Sequence, residues 1–164
     1  MQVAIVSDIH DNLSNLQSCL NYCQEKKIKK IICSGDTGNI ETIKYFANNF
    51  LGEIFIICGN ADTYREKDLE SFKNIRYKKE IFFFEIDNLK IAICHEPEKI
   101  KTIKEIQSED LDFIFYGHTH KPWLEIDKKT IIANPGTLGG VFYPATFSIL
   151  NTKTKILSLK RLFE

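Results

Sequence analysis

Short apolar runs separated by polar loops dominate the first third of the chain. The runs VAIVS, KIIC and IFIIC are rich in β-branched residues, and each is followed by polar residues. This pattern is typical of strands that are buried on both faces. Between the first two runs, Leu13, Leu16, Leu20 and Cys23 recur at helical spacing behind Asn12, a favourable N-cap. ETIKYFANNF predicts a second helix, so the order β-α-β-α-β indicates parallel strands with right-handed crossovers.

Hairpins dominate the remainder of the chain. EIFFFEIDNLKIAIC consists of two runs joined by Asp87-Asn88, which is a hairpin signal. WLEIDKKTIIAN and ATFSILNTKTKILSLKRL predict two more hairpins, turning at residues 127–129 and 151–154. PEKIKTIKEIQ predicts a helix with Pro97 in its first turn, and DFIFYG predicts a buried strand. We therefore predict an α/β fold in which two mixed sheets pack together between outer helices.

Length and charge narrow the class of protein. A chain of 164 residues with 43% hydrophobic residues suits a single domain over residues 1–164. The 22 Lys+Arg balance the 22 Asp+Glu, and this net charge of zero predicts no nucleic-acid partner. The apolar start of the chain resembles no signal peptide, and no run approaches the about 20 apolar residues of a membrane span. We predict a cytoplasmic protein with no membrane partner.

The five cysteines argue against a disulfide framework or a cysteine-based zinc site. Their number is odd and they form no CxxC pair. Cys33, Cys58 and Cys94 lie within apolar runs and are predicted to be small core residues. Cys19 and Cys23 are one helical turn apart, which leaves a redox pair open beside a core role.

Polar residues cluster directly after the predicted strands, and all four histidines of the chain are among them. Strand ends of an open parallel sheet face one rim, so these side chains are expected to converge there. The histidines join two aspartates and one asparagine in a set of seven nitrogen and oxygen donors: Asp8, His10, Asp36, Asn60, His95, His118 and His120.

Seven donors without sulfur are too many for one tetrahedral ion and suit two divalent ions. Donors of this kind suit manganese, nickel, iron, zinc or cobalt, and manganese is the first choice among them, although the donors alone do not fix the metal. Glycine precedes Asp36, Asn60 and His118, which allows the backbone to turn sharply and approach the ions closely. Each motif alone has an ordinary interpretation as a turn, a cap or a loop histidine. The prediction rests on their joint occurrence, each after a strand.

DIH, GD, GN, a lone histidine and GHTH occur in this order from Asp8 to His120. The set resembles the motifs of the calcineurin-like metallophosphoesterases. The short chain, the start IVSDIHDN and NPG after GHTH resemble the small archaeal and bacterial phosphodiesterase branch related to Vps29. The resemblance spans Val3 to about Leu162.

This resemblance implies a four-layer α/β/β/α sandwich and a ligand assignment. One ion would be held by Asp8, His10, Asp36 and His120, and the other by Asp36, Asn60, His95 and His118. Asp36 would then bridge the two ions, and Asp36, Asn60 and His95 are the predicted catalytic residues. Two divalent ions beside two carboxylates favour a bridging hydroxide that attacks phosphorus in line. Asn60 is also expected to donate its amide to a phosphoryl oxygen.

Two positions depart from the family pattern. Ala61 stands where many relatives have a histidine proposed as a general acid, and Glu96-Pro97 replaces a Gly-His pair. General acid catalysis is typically worth about 10²–10⁴-fold, so substrates with good leaving groups are favoured. Asp62 is an alternative acid, although loop capping is its ordinary role. Thr119 has two interpretations, a hydrogen bond to a ligand or simple loop geometry.

Several alternatives remain open from the sequence. Trp123 and the loop 139–144 suit an aromatic wall beside the site, or a core or interface role. The predicted function is a dinuclear phosphoesterase acting on small phosphate esters, chiefly diesters. The alternatives are a phosphomonoesterase or nucleotidase, and a Vps29-like binding scaffold with little or no catalysis. A homodimer is compatible with the aromatic content.

Overall fold

The computed structural model describes residues 1–107 and 110–163. Over these ranges the chain forms eleven strands and four helices. In chain order the strands are β1 (Gln2–Val6), β2 (Lys30–Cys33), β3 (Glu53–Ile57), β4 (Ile75–Lys78), β5 (Ile81–Ile86), β6 (Leu89–Cys94), β7 (Phe113–Phe115), β8 (Trp123–Asp127), β9 (Thr130–Asn134), β10 (Thr146–Asn151) and β11 (Ile156–Arg161). The helices are α1 (Leu13–Glu25), α2 (Ile40–Asn49), α3 (Glu66–Leu69) and α4 (Lys99–Ile106).

The strands form two mixed sheets. The first has the order β11-β10-β1-β2-β3-β4, in which β1 to β4 are parallel and β10 pairs antiparallel with β1 and β11. The second has the order β5-β6-β7-β9-β8, in which β6, β7 and β9 are parallel and their hairpin partners β5 and β8 are antiparallel. The three predicted hairpins are present. The prediction of two mixed sheets is confirmed.

Successive side chains of each strand point to opposite faces of the sheet, and this alternation divides the core into three apolar layers. In β1, Ala4 and Val6 pack on the helix side with Leu16 of α1 and Phe46 of α2. Val3 and Ile5 of the same strand face the second sheet and pack with residues such as Phe113. The outer face of the second sheet packs against Ile103 of α4. The four layers are therefore helices, first sheet, second sheet and helix, as the period of two in a strand requires.

The segment 62–80 contains two elements that the apolar pattern of the sequence does not predict. They are the short helix α3 and the edge strand β4. β4 is four residues long and no residue in it is fully buried, so it carries a weak hydrophobic signal. Helix α4 starts at Lys99, two residues after Pro97, and is preceded by a turn in which the Lys99 N–H donates to the Glu96 carbonyl.

The helices are short relative to a lipid bilayer. In the part of the chain that the structure describes, none is both long and apolar enough to cross a membrane.

Candidate metal centre

Five strand ends, three from the first sheet and two from the second, meet at one rim. Backbone hydrogen bonds hold the loops after these strands together. The Asp8 N–H donates to the Gly35 carbonyl at 3.0 Å, and the His10 N–H donates to the Asp36 carbonyl at 3.0 Å. The Gly117 N–H donates to the His95 carbonyl at 3.0 Å. The loops after β1 and β2 are therefore joined to each other, and so are the loops after β6 and β7.

Asp8, His10 and His120 form one group of donors. The Nε2 atoms of the two histidines are 3.0 Å apart. Asp8 Oδ1 lies 3.2 Å from His120 Nε2 and 3.8 Å from His10 Nε2. Asp8 is fully buried, and its carboxylate also accepts from the His118 N–H, at 3.1 and 3.2 Å from the two oxygens.

Asp36, Asn60, His95 and His118 form a second group beside the first. Asn60 Oδ1 lies 3.0 Å from His95 Nε2 and 2.8 Å from His118 Nδ1. Asp36 Oδ2 lies 3.3 Å from His95 Nε2, while Asp36 Oδ1 accepts from the Ala61 N–H at 2.7 Å. The structure thus brings all seven sequence-predicted donors to one place.

Asp36 connects the two groups. Its Oδ2 atom is 3.7 Å from His10 Nε2 on one side and 3.3 Å from His95 Nε2 on the other. Asp8 belongs to the first group and also lies close to Asp36 and His95. Two buried carboxylates therefore stand between two pairs of imidazoles.

The ring orientations leave acceptor atoms facing one another. His95 Nδ1 donates to the Ser34 carbonyl at 2.8 Å, and His120 Nδ1 donates to the Val141 carbonyl at 3.0 Å. A neutral histidine whose Nδ1 carries the proton presents a lone pair at Nε2. These two lone pairs point at the carboxylates of Asp36 and Asp8, and acceptors at such distances require a cation or a proton between them.

The spacing fits divalent metal ions. Metal–nitrogen and metal–oxygen distances of about 2.0–2.2 Å, with angles between tetrahedral and octahedral, place neighbouring ligand atoms about 3.0–3.5 Å apart. The contacts above range from 2.8 to 3.8 Å. The donors are imidazole, carboxylate and amide oxygen, the set preferred by borderline and hard divalent ions.

Five of the seven donors have left-handed backbone, a conformation that residues other than glycine rarely adopt. Their φ angles are 54° at Asp8, 48° at His10, 52° at Asp36, 67° at His118 and 59° at His120. Such strain concentrates at functional sites because the surrounding structure must enforce it. Among the residues that the structure describes, twelve non-glycine residues have a positive φ, and five of them are donors. This concentration at one rim supports a functional role for the cluster.

Burial and neighbouring charged groups shift the pKa values of Asp8, Asp36 and His95 in opposite directions. Burial raises the pKa of Asp8 above its usual value. Burial also acts to raise the pKa of Asp36, but hydrogen bonds from His95 and the Ala61 N–H outweigh it and the pKa is lowered. For His95, burial acts to lower the pKa, but the Asp36 carboxylate outweighs it and the pKa is raised. The Asp36 carboxylate therefore favours positive charge at His95, on the side where a cation would bind.

Asp62 is a supporting residue whose role the structure defines. Its carboxylate accepts from the backbone N–H groups of Asp36 at 3.1 Å, Gly38 at 2.7 Å and Gly59 at 2.7 Å, and from the Tyr64 hydroxyl at 3.1 Å. All of these groups donate to it, so Asp62 holds the loops after β2 and β3 in place. This arrangement favours loop capping over a role as proton donor.

A second support, which the sequence indicated only through NPG, is the segment after β9. Asn134 Nδ2 donates to the Gly117 carbonyl at 2.8 Å and to Thr119 Oγ1 at 3.0 Å. Thr137 Oγ1 donates to the Asp8 carbonyl at 2.9 Å. Thr119 therefore braces the GHTH loop through Asn134.

The glycines before three donors are required for space. A Cβ on Gly117 would lie 2.0 Å from Ser7 Oγ, and one on Gly59 would lie 2.1 Å from Asp36 Oδ1. Gly35 combines a φ of 93° with a Cβ position 2.7 Å from His95 Nδ1. These close approaches let the loops reach the rim together.

Trp123 and the loop 139–144, both considered as aromatic neighbours of the site, lie in different places. Trp123 is half exposed and lines a groove with Leu124, Leu157 and Leu159, between β8 and β11. Phe142 of the loop 139–144 instead lies against His120, with ring centroids 5.6 Å apart. Of these two places, the loop is the one that brings an aromatic ring, that of Phe142, against a donor.

Comparison with known proteins agrees with this geometry. The calcineurin-like phosphoesterase superfamily domain matches residues 1–155. The chain is 32% identical over 159 residues to a protein named Phosphodiesterase MJ0936 from Methanocaldococcus jannaschii, covering 94% of this chain and 95% of the relative.

Two solved structures share the fold. One, described as a novel archaeal phosphodiesterase, is 28% identical with a TM-score of 0.88 and covers 98% of this chain and 99% of its own. Vacuolar protein sorting 29 from Cryptosporidium parvum is 19% identical with a TM-score of 0.69, covering 97% and 96%, and shows the fold alone. With a family match over residues 1–155 and donors gathered at five strand ends, the chain belongs to the calcineurin-like phosphoesterase superfamily.

Proposed function

We propose that this protein is a phosphodiesterase of the cytoplasm whose single domain, residues 1–164, uses two divalent metal ions. The observation that carries the proposal is the pair of adjacent donor groups in which imidazole lone pairs face buried carboxylates. The phosphodiesterase names of the relatives support the choice of substrate class. The zero net charge supports a small phosphate ester over a nucleic acid.

We assign Asp8, His10, Asp36 and His120 to one ion and Asp36, Asn60, His95 and His118 to the other. Asp36 is the proposed bridge because its Oδ2 lies between His10 and His95. Manganese is the proposed metal, since nitrogen and oxygen donors without sulfur suit it and metal availability decides among similar ions. Nickel, iron, zinc and cobalt are the alternatives.

When bound, the two ions supply a water-derived nucleophile at neutral pH and neutralise phosphoryl oxygens. The chain's own residues orient the substrate. Asp8, Asp36, His95 and His120 form a buried floor, whereas Asn60 and His118 are exposed at the mouth. The ester therefore enters on the side of Asn60 and His118.

The exposed amide of Asn60 supports a second role for this residue, in binding the phosphoryl group. Its Oδ1 faces His95 and His118, so its NH₂ group points to the other side of the amide. An exposed amide in this position donates hydrogen bonds to a charged phosphoryl oxygen. Ala61 supplies no proton donor for the leaving group, and Asp62 is held by its backbone donors. Esters with acidic leaving groups are therefore the best substrates.

Metal analysis and hydrolysis together test the function. We expect protein purified without chelator to carry about two ions per chain and to release nitrophenol from bis-p-nitrophenyl phosphate. Stripping with EDTA should abolish release, and Mn²⁺ should restore it. Turnover of p-nitrophenyl phosphate under the same conditions distinguishes diesterase from monoesterase. Failure to bind metal, with no turnover of either ester, would contradict the proposal.

Replacing Asn60 by aspartate tests its second role. Asn60→Asp keeps an oxygen ligand but removes the amide donor. Because a hydrogen bond to a charged group contributes about 1.5–3 kcal/mol, we expect kcat/KM for the diester to fall about 10- to 100-fold with the metal content unchanged. Asn60→Ala, the matched control, should lose metal as well. Unchanged turnover in Asn60→Asp would show that the amide makes no such contact.

A binding scaffold and a homodimer stay as predictions. The likeness to vacuolar protein sorting 29 concerns the fold, and the full set of donors favours catalysis. For a homodimer, the groove between the edge strands β8 and β11 is the proposed contact, since Trp123, Leu124 and Leu159 line it and are each half exposed.

A further inference from the structure

Phe142 combines three features that rarely occur together. It is 89% exposed, although phenylalanine is usually buried. Its φ of 64° lies in the left-handed region, where a bulky residue is an outlier. It also lies at the metal centre, where its ring centroid is 5.6 Å from that of His120 with the planes tilted by 36°.

The loop around Phe142 is tied to the metal centre by its backbone. The Val141 carbonyl accepts the His120 Nδ1 proton at 3.0 Å. Two residues earlier, the Gly139 N–H donates to the Asp8 carbonyl at 2.9 Å, and Asn12 Nδ2 donates to the Gly139 carbonyl at 2.9 Å. The position of Phe142 relative to two donors is therefore fixed through its own chain neighbours.

Folding stability does not account for this arrangement. A left-handed conformation at a residue with a Cβ is unfavourable, and an exposed ring gains little by burial. The contact with His120 uses part of one ring face, within the usual 4.5–7 Å range of aromatic pairs. Much of the ring surface remains open to solvent on the His120 side of the metal centre.

We propose that Phe142 is a specificity-determining residue that stacks on a planar ring of the substrate. The substrate class would be phosphodiesters in which an aryl group or a nucleobase is joined to the phosphate. The inference rests on the proposed function, since it assumes that the phosphate binds at the metal centre. The proposed contact between Phe142 and the substrate is stacking alone, which tolerates any planar ring.

Paired ligands that differ only in the ring test the proposal. Phenyl phosphate and methyl phosphate form one pair, and adenosine 5′-phosphate and ribose 5-phosphate form the other. For the Mn²⁺-loaded protein, calorimetry should show tighter binding of the aromatic member by about 5- to 100-fold, the range expected for one stacked ring. A preference in the first pair alone identifies aryl esters, and one in the second identifies nucleotides.

Variants at residue 142 should remove this preference and leave phosphate binding intact. Phe142→Leu keeps apolar bulk without a ring and should bring both members of a pair within about twofold. Phe142→Tyr should retain the preference. Tyr143→Ala is the matched control, because Tyr143 is a neighbouring exposed aromatic at 40% exposure and should leave the preference unchanged. An equal preference in Phe142→Leu and the unaltered protein would overturn the proposal.

A stability measurement separates recognition from a structural role. Asparagine tolerates left-handed backbone, so Phe142→Asn should keep or raise the melting temperature while it removes the preference. A lower melting temperature would show that the ring supports the fold, and would overturn the proposal. Failure of the proposed function looks different, because methyl phosphate and bis-p-nitrophenyl phosphate would then not be bound or hydrolysed by any variant.

Discussion

Asp36→Asn is expected to reduce metal-dependent hydrolysis of bis-p-nitrophenyl phosphate by about 10³-fold or more. The reason is the position of Asp36 Oδ2, which lies 3.7 Å from His10 Nε2 and 3.3 Å from His95 Nε2. A carboxylate there offsets the repulsion between two divalent ions, and a neutral amide does not. Metal content should fall below two ions per chain, measured by mass spectrometry of the purified protein.

The same substitution should have little effect on the fold. The side chain of asparagine can still accept the Ala61 N–H that Asp36 Oδ1 accepts at 2.7 Å. In EDTA its melting temperature should match that of the unaltered protein, whereas Mn²⁺ should raise only the latter by binding the native state. Asp127→Asn is the control, because this exposed carboxylate pairs with Lys104 on the surface. Activity within tenfold of the unaltered protein would refute the bridging role.

The strands around the site were predictable because their signal is local. β1, β2, β3, β6 and β7 are short apolar runs that end directly before polar residues, so the sequence shows both the strand and the donor-bearing loop after it. The carboxyl ends of parallel strands share a rim, which predicts convergence without coordinates. The left-handed positions leave no mark in the sequence beyond the glycines, since φ at Asp8 or His120 is enforced by other loops.

The pairing of distant segments was not predictable from local pattern. β10 inserts beside β1, with Gln2 opposite Asn151, and β4 closes the other edge of the same sheet. β4 has a weak signal of its own and forms because β3 offers it a partner. Such register depends on the assembled core, which a window of sequence does not contain.

The contacts that support the donor-bearing loops were also not predictable from the sequence, because common loop residues make them. Asp62 resembles any loop aspartate, yet it accepts three backbone N–H groups that belong to two loops. Asn134 appears in NPG but acts on the GHTH loop 17 residues away. In each case the function of the side chain depends on which backbone groups the fold brings near it, and spacing along the chain does not reveal this.

Gly117→Ala is expected to lower both the stability of the protein and its stabilisation by Mn²⁺, because an added Cβ would clash with its neighbours. An added Cβ would lie 2.0 Å from Ser7 Oγ, 2.9 Å from Asp8 Oδ2 and 3.0 Å from the Ser34 carbonyl, and all three neighbours are fully buried. Overpacking of this kind typically costs about 1–3 kcal/mol, which corresponds to a melting temperature roughly 2–12 °C lower for a domain of this size. Because Asp8 must move, the protein should also lose stabilisation by Mn²⁺ in a thermal shift assay.

A matched glycine and a second substitution separate the loss of stability from the loss of metal. Gly52 lies at the amino end of β3, opposite the rim, where an added Cβ would lie 2.1 Å from the Lys29 carbonyl oxygen. Gly52→Ala should lower the melting temperature but keep the Mn²⁺ shift. Adding Ser7→Ala to Gly117→Ala removes the closest clash and should recover part of both losses, a non-additive result expected for residues in contact. If Gly117→Ala kept the stability and the Mn²⁺ shift of the unaltered protein, the tight contact between the GHTH loop and Asp8 would not be needed to hold the metal.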